Sequence, residues 1–193
     1  MPELSLFCAG PLLAGHAAGL RLRALGHLRL RHVQVREDCP ISRIVDDCLI
    51  SGDEPVWCGH RLLLASGAQA LPWLAQSGLN CDDGGFVQIA PTLQSHSHPS
   101  IFAVGDCASL PGARKSGVYS VRQAPVLAAN LNAVLRGLPL RAYRAQRQSL
   151  ALLATGDGGA LLGWREWSAG GQFYGRWKDY LDRGFIRRHR LSG

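Results

Sequence analysis

The stretch from Thr92 to Ala108, T-L-Q-S-H-S-H-P-S-I-F-A-V-G-D-C-A, limits what this chain can fold into more than any other. Its centre is a short apolar run, Ile101-Phe102-Ala103-Val104, which stops abruptly at Gly105-Asp106. Such a run reads as a buried strand with a carboxylate at its C-terminal end. In open α/β sheets, ligands bind beyond the carboxyl ends of the strands. Gly105 has no Cβ and permits close backbone approach there. Asp106 only accepts hydrogen bonds when ionised, which suits a ligand hydroxyl. A loop rich in Pro, Gly and Lys follows, then a helical pattern from about Val118 to Leu135. Strand, acidic tip, loop and helix N-terminus together make a site for a polar, partly anionic ligand. Taken alone, Gly105-Asp106 reads more simply as a strand ending in a turn. The long run around it is what favours the ligand site.

Thr92 followed by I-F-A-V-G-D at 101–106 resembles the second flavin fingerprint of the two-dinucleotide-binding-domain flavoproteins. That group is the pyridine nucleotide-disulfide oxidoreductase superfamily, which includes type II NADH dehydrogenases. In the family the aspartate of the terminal Gly-Asp holds the ribityl chain of FAD. The resemblance therefore implies a cofactor role for Asp106, with Gly105 beside it. Upstream, Leu62-Leu63-Leu64-Ala65-Ser66-Gly67 is similar to the family's A-T-G-like return to the flavin domain, with Ser66 keeping the hydroxyl and Gly67 closing the segment. The run W-L-A-x-S-G-L, D-x-x-G-F-V-x-I and T-L-Q-S continues the likeness without a break over 62–108. Downstream, S-G-V-Y-S-V-R-Q-A-P-V-L-A-A-N-L resembles the helix that lies under the isoalloxazine ring. By that likeness Val121, Arg122 and Gln123 neighbour the ring, and Gln123 donates to it. Arg122 reads equally well as an exposed helix charge.

The rest of the chain supports an α/β reading. Leu4–Cys8 reads as a short strand and His16–Leu28 as an amphipathic helix with Ala17, Leu20, Ala24 and Leu28 on one face. Residues 30–35 alternate as a strand, and 41–45 and 48–50 suggest two more around Asp46-Asp47. Arg61–Ala65 reads as a buried strand, Pro72–Leu79 as a short helix with a glycine stop, and Phe86–Ile89 as an alternating strand. Pro125 lies several residues into the helical pattern and either marks the true first turn or kinks it. This order resembles the C-terminal part of a two-dinucleotide-binding-domain, FAD/NAD(P)-binding Rossmann-like flavoprotein, with a small α+β C-terminal region. It divides into the later half of an NAD(P)-binding domain with its β-meander (1–67), a returning segment of the FAD-binding domain (68–140) and a C-terminal region (141–193).

The chain of 193 residues is 47% apolar, enough to bury a core and to exclude a disordered chain. No apolar run reaches the roughly 18 residues that a membrane span needs, and Met1-Pro2-Glu3 lacks a basic leader. These features predict a cytoplasmic protein. The six cysteines include no C-x-x-C pair, so the dithiol of the disulfide reductases is missing. Cys39, Cys48, Cys58 and His60 lack the tight spacing of metal ligands and read as buried or incidental thiols. His96 and His98 read as loop residues before Pro99. The net charge of +7 is carried almost wholly by arginine, since Lys115 and Lys178 are the only lysines.

In the tail, 150–153 and 160–164 predict a hairpin around Thr155–Gly159, and Gly175–Arg190 a short basic-aromatic element. The run L-A-L-L-A-T-G-D-G-G-A-L-L-G-W with G-R-W-K-D-Y-L-D-R-G-F-I-R-R resembles the flavoprotein module fused to selenide,water dikinase. Type II NADH dehydrogenases use this region for membrane attachment or dimerisation, so the likeness implies peripheral contact with the inner face of a membrane through 176–190. Packing of the aromatics on the flavin domain is the simpler expectation.

No G-x-G-x-x-G occurs in the sequence. Those glycines let the backbone approach a pyrophosphate, so the diphosphates of FAD and NAD(P)H have no evident cradle here. The expectation is therefore a C-terminal portion of an FAD-dependent NAD(P)H oxidoreductase, passing hydride from the nicotinamide to the flavin and on to a quinone or other small acceptor. Its implied partners are a separate N-terminal flavoprotein half or the dikinase, with no DNA. Two other functions fit the sequence: a non-catalytic accessory module, and a basic membrane or RNA binder acting through 141–147 and 176–190.

Overall fold

Alternating apolar residues at Leu4 and Leu6, and at Val33 and Val35, form β1 (Leu4–Phe7) and β2 (Val33–Arg36), which pair in parallel with Leu4 opposite Val33. A computed structural model describes residues 3–146 and 149–190 of the chain. Met1-Pro2 and Arg147, the last cation of the basic 141–147 stretch, lie outside the described residues. Between the two strands runs α1 (Ala18–Leu30), buried through Leu20 and Ala24 as the apolar spacing predicts. An antiparallel meander follows: β3 (Arg43–Val45), β4 (Cys48–Ser51) and β5 (Glu54–Cys58), in the order β3-β4-β5. Asp46 and Asp47 both have positive φ, 47° and 60°, so the β3–β4 turn has the primed geometry that matches strand twist. The last strand of the meander is not evident in the sequence, because Pro55 interrupts it. Proline is tolerated on an edge strand, and β5 is an edge, with Pro55 opposite Ile50 at a register shift. Cys48 and Cys58 are not incidental thiols. They face each other across β4 and β5 and form a disulfide, with Cα atoms 4.0 Å apart.

The chain divides into two compact units, Met1–Leu63 with Leu150–Gly193, and Leu64–Ser149. In the second unit α2 (Pro72–Gln76) starts on its proline, and Gly78 beyond it takes a positive φ. Strands β6 (Val87–Gln88) and β7 (Ala108–Ser109) pair in parallel. The core is Leu74, Val87, Ile89, Leu93, Ala108 and Tyr143, with Phe102, Val104, Val126 and Leu127 packed against it. Two expected strands do not form. Leu62–Leu64 is irregular and exposed, Leu63 to 91%. Ile101–Val104 makes one isolated bridge, Phe102 to Gln94, flanked by Ser95 N–H to Ile101 O and Ala103 N–H to Leu93 O. A strand needs a continuous ladder partner, and the bent 93–95 segment supplies only those few bonds.

Helix α3 (Gly117–Leu135) carries Pro125 inside it, so the Val121 carbonyl lacks its usual i+4 donor. Asn130 is fully buried near the C-terminal half of this helix. Its Nδ2 donates to Thr92 O (2.8 Å) and Arg141 O (2.9 Å), and its Oδ1 accepts from Arg141 N–H (2.8 Å). Tyr143 N–H donates to Pro91 O, and Tyr119 Oη donates to Gln146 O. Residues 141–146 are thus laid along α3 as an irregular strap, fastened mainly by side chains.

The tail returns to the first unit as β8 (Ala151–Ala154), β9 (Ala160–Trp164), β10 (Trp167–Gly171) and α4 (Gln172–His189), the strands in the order β10-β9-β8. The predicted hairpin is β8–β9. Gly163 admits the Leu20 side chain of α1, where a Cβ would stand 2.6 Å from Leu20 Cδ2. Helix α4 leaves Phe173, Tyr180 and Ile186 exposed among its cations. Among the described residues no helix is long and apolar enough to cross a membrane.

The β8–β9 turn is organised by Asp157, which accepts from Thr155 Oγ1, Gly159 N–H and the Arg31 guanidinium. The Thr155 hydroxyl first, then the Gly159 amide and the Arg31 charge, hold its carboxyl down at about 2. The folded value lies below the unfolded one, so the stabilisation is complete above about pH 4. It is lost as the pH falls towards 2. In thermal melts across that window, Asp157→Asn is expected to remove part of the acid slope shown by the wild type; parallel profiles would refute the assignment.

Candidate flavin-facing site

The site grows from the turn that ends Ile101–Val104. Gly105–Cys107 is a single 3₁₀ turn. Gly105 has φ +73°, a left-handed conformation that L side chains resist. A Cβ there would stand 3.0 Å from Ser120 Oγ of α3. Its N–H donates to Gln123 Oε1 at 2.7 Å, and Gln123 is only 3% exposed. The helix therefore grips the turn at two points, and the turn presents Asp106 at the surface. The Asp106 carboxylate is exposed and makes no hydrogen bond or ion pair among the described residues.

Helix α3 begins beside this turn. Ser116 is its N-cap but makes no side-chain cap, and the first turn carries no acidic residue. The leading N–H groups of such a helix favour negative charge in front of them. Val121 and Arg122 are exposed on the helix, while Gln123 points inward. The structure thus brings Gly105, Asp106, Val121, Arg122 and Gln123 together on one turn and one helix. Gly67 lies apart in the irregular 65–69 run, exposed and with open space around it.

Two residues of the strap beside α3, not singled out in the sequence, carry unpaired polar atoms. Tyr143 Oη and both amide atoms of Gln146 are buried without a hydrogen-bond partner. Burial pushes the Tyr143 phenol up, with the Arg122 charge acting in the opposite sense. A tyrosine and a glutamine in an irregular basic segment give no periodic signal, so pattern reading passes over them.

These features fit one side of a flavin nucleotide. An acceptor-only carboxylate suits the polyol, an uncapped helix end suits the electron-rich end of the ring, and a glycine against Ser120 keeps the approach narrow. They do not supply a diphosphate cradle.

A mixed α/β unit with an acidic turn at a helix N-terminus is common to many classes of protein, and comparison with known proteins specifies this one. Residues 9–148 match the family model described as pyridine nucleotide-disulphide oxidoreductase, and the chain belongs to that family. The sulfide:quinone oxidoreductase of Aquifex aeolicus superposes with a TM-score of 0.75 at 17% identity, over 96% of this chain and 49% of that one. An FAD-dependent pyridine nucleotide-disulphide oxidoreductase from Desulfovibrio vulgaris gives a TM-score of 0.62 at 20% identity, over 82% and 41%. The water-forming NADH oxidase of Lactobacillus brevis, solved bound to NADH, gives 0.60 at 19%, over 83% and 36%. This chain therefore spans about half, or less, of the length of these solved structures. No curated protein sequence matches it. The fold is that of FAD/NAD(P)-binding oxidoreductases, as the 62–108 run implies.

Proposed function

We propose that this chain forms the ribityl and ring-facing side of the FAD site of an NAD(P)H-oxidising flavoprotein, with the phosphate-binding glycines contributed by another segment. The observation that carries the reading is the Gly105 turn gripped by Gln123, which fixes a free carboxylate at the mouth of α3. Bound there, the flavin would supply two-electron hydride chemistry between a nicotinamide and an acceptor.

The protein's own residues bind and orient. Asp106 accepts from a polyol hydroxyl. Gln123 holds the turn through its oxygen, which accepts from Gly105 N–H, and its Nε2 is the group that would donate to the ring. Val121 offers an apolar surface and Arg122 a cation on the exposed side of the same helix. Tyr143 Oη and the Gln146 amide, on the strap beside α3, are left without partners. Hydride transfer needs no protein acid or base, so no side chain is assigned one.

The test is a titration of the 193-residue chain with riboflavin, which carries the ring and the polyol without the diphosphate, followed by flavin fluorescence polarisation. Saturable binding is expected, and Asp106→Ala is expected to weaken it by about tenfold, the worth of one charge-assisted hydrogen bond. Equal binding by the two proteins, or none by either, would remove the support for an Asp106-centred site.

A further inference from the structure

We propose that the Cys48–Cys58 disulfide is a reversible thiol-exchange site, opened by a small monothiol of the glutathione class through attack at Cys58. It lies in the first unit, on the β-meander, and does not depend on the flavin reading. Four observations lead to it.

The two cysteines are directly opposed partners on β4 and β5, so the bond joins strands that already pair and can close or open without a change of register. They differ in access. Cys48 is half-buried on the central strand of the meander, between β3 and β5, whereas Cys58 is exposed on the edge strand. Thiol exchange proceeds by attack on the sulfur that a thiolate can reach, which here is Cys58 Sγ. The other four cysteines, Cys8, Cys39, Cys81 and Cys107, are unpaired, so this is the one cross-link among the described residues. Where glutathione keeps thiols reduced, disulfides that do form are mostly transient or sensing.

The fourth observation says what the bond governs. The residues just before Cys58 hold the meander on the parallel pair. The Trp57 ring meets Phe7 of β1 edge-on at 6.4 Å, Arg36 Nη1 of β2 donates to Val56 O at 2.9 Å, and Gly59 leaves room for the indole where a Cβ would collide with it. Cutting the cross-link frees the edge strand that carries these contacts.

The chemistry balances in two steps. A thiolate attacks Cys58 Sγ, forms a mixed disulfide there and expels the Cys48 thiolate. A second thiolate attacks the external sulfur of that mixed disulfide, releases the oxidised small disulfide and leaves the Cys58 thiolate. Two electrons pass to the protein, and the two thiolates take up two protons.

The test uses the 193-residue chain, incubated folded with millimolar reduced glutathione and then with oxidised glutathione. Thiol titration in denaturant is expected to rise from four free thiols, those of Cys8, Cys39, Cys81 and Cys107, to all six, and to fall back. With Cys48→Ser, oxidised glutathione is expected to form a stable adduct mapped by mass spectrometry to Cys58. With Cys58→Ser, Cys48 is expected to react at least several-fold more slowly. Hydrogen exchange at Val56 and Trp57 in the wild type is expected to quicken on reduction, by up to about a hundredfold if the loop-closure constraint is released in full. That measurement stands even if a serine variant folds poorly. A disulfide that survives excess glutathione in the folded chain overturns the proposal. So do six free thiols after oxidation, adducts that form faster on Cys48, or unchanged exchange at Trp57.

Discussion

Asn130→Leu is expected to lower the stability of the 64–149 unit by about 3 kcal/mol, about one for each of the three part-buried hydrogen bonds lost. The side chain is fully buried and serves Thr92 O, Arg141 O and Arg141 N–H at once. Leucine matches its size but makes none of these bonds. Asn130→Asp keeps the acceptor for Arg141 N–H and loses both donors, so an intermediate loss is expected. Urea unfolding read by hydrogen-exchange mass spectrometry over 64–149 separates this unit from the other. A loss below about 1 kcal/mol for the leucine variant would mean that water replaces the amide and that the strap is not fastened there.

Gly105→Val is expected to cost roughly 3 kcal/mol, from a β-branched residue forced to positive φ plus crowding against Ser120. Two causes contribute and can be separated. The torsional penalty belongs to the turn alone, while the contact needs Ser120 Oγ, which lies 3.0 Å from the added Cβ. Gly105→Ala measured with and without Ser120→Gly forms a cycle. A coupling below about 0.5 kcal/mol is expected, because a serine hydroxyl can rotate aside and φ cannot. A coupling that accounts for most of the loss would make the turn a packing feature with no torsional demand of its own. Chemical denaturation of the four proteins gives all the required differences.

The sequence showed some of this and hid the rest for physical reasons. The Leu20/Ala24 face of α1, the β8–β9 hairpin and the glycine stop after α2 are local signals, and all three stand in the structure. The family was legible because 62–108 preserves the order of many small motifs. The strand expected at Ile101–Val104 was misread because an apolar run shows burial but not whether a ladder partner lies alongside. Strand β5 was hidden by Pro55, and β10 by Gly170 and Gly171, which leave no alternation to see. The donation expected of Gln123 rests on resemblance and involves its amide nitrogen, whereas the bond of its oxygen to Gly105 N–H is a contact across 18 residues that sequence alone could not show. Asn130 and Tyr143 depend on contacts with residues 91–92 and 141, a separation that no local pattern encodes.

The exposed leucines of Leu62–Leu64 bear on how this protein fares among its own copies. From Leu62 to Cys81 no residue is charged, and Arg61 is the only charged neighbour on the N-terminal side. Charged flanks are what keep a sticky segment from meeting its own copy in another molecule. Here one flank is guarded and the other is open for twenty residues, as far as Asp82. The run stays uncovered after folding, with Leu63 almost wholly in solvent. Its effect falls on the chain in solution, where an uncovered apolar run with one open flank favours self-association.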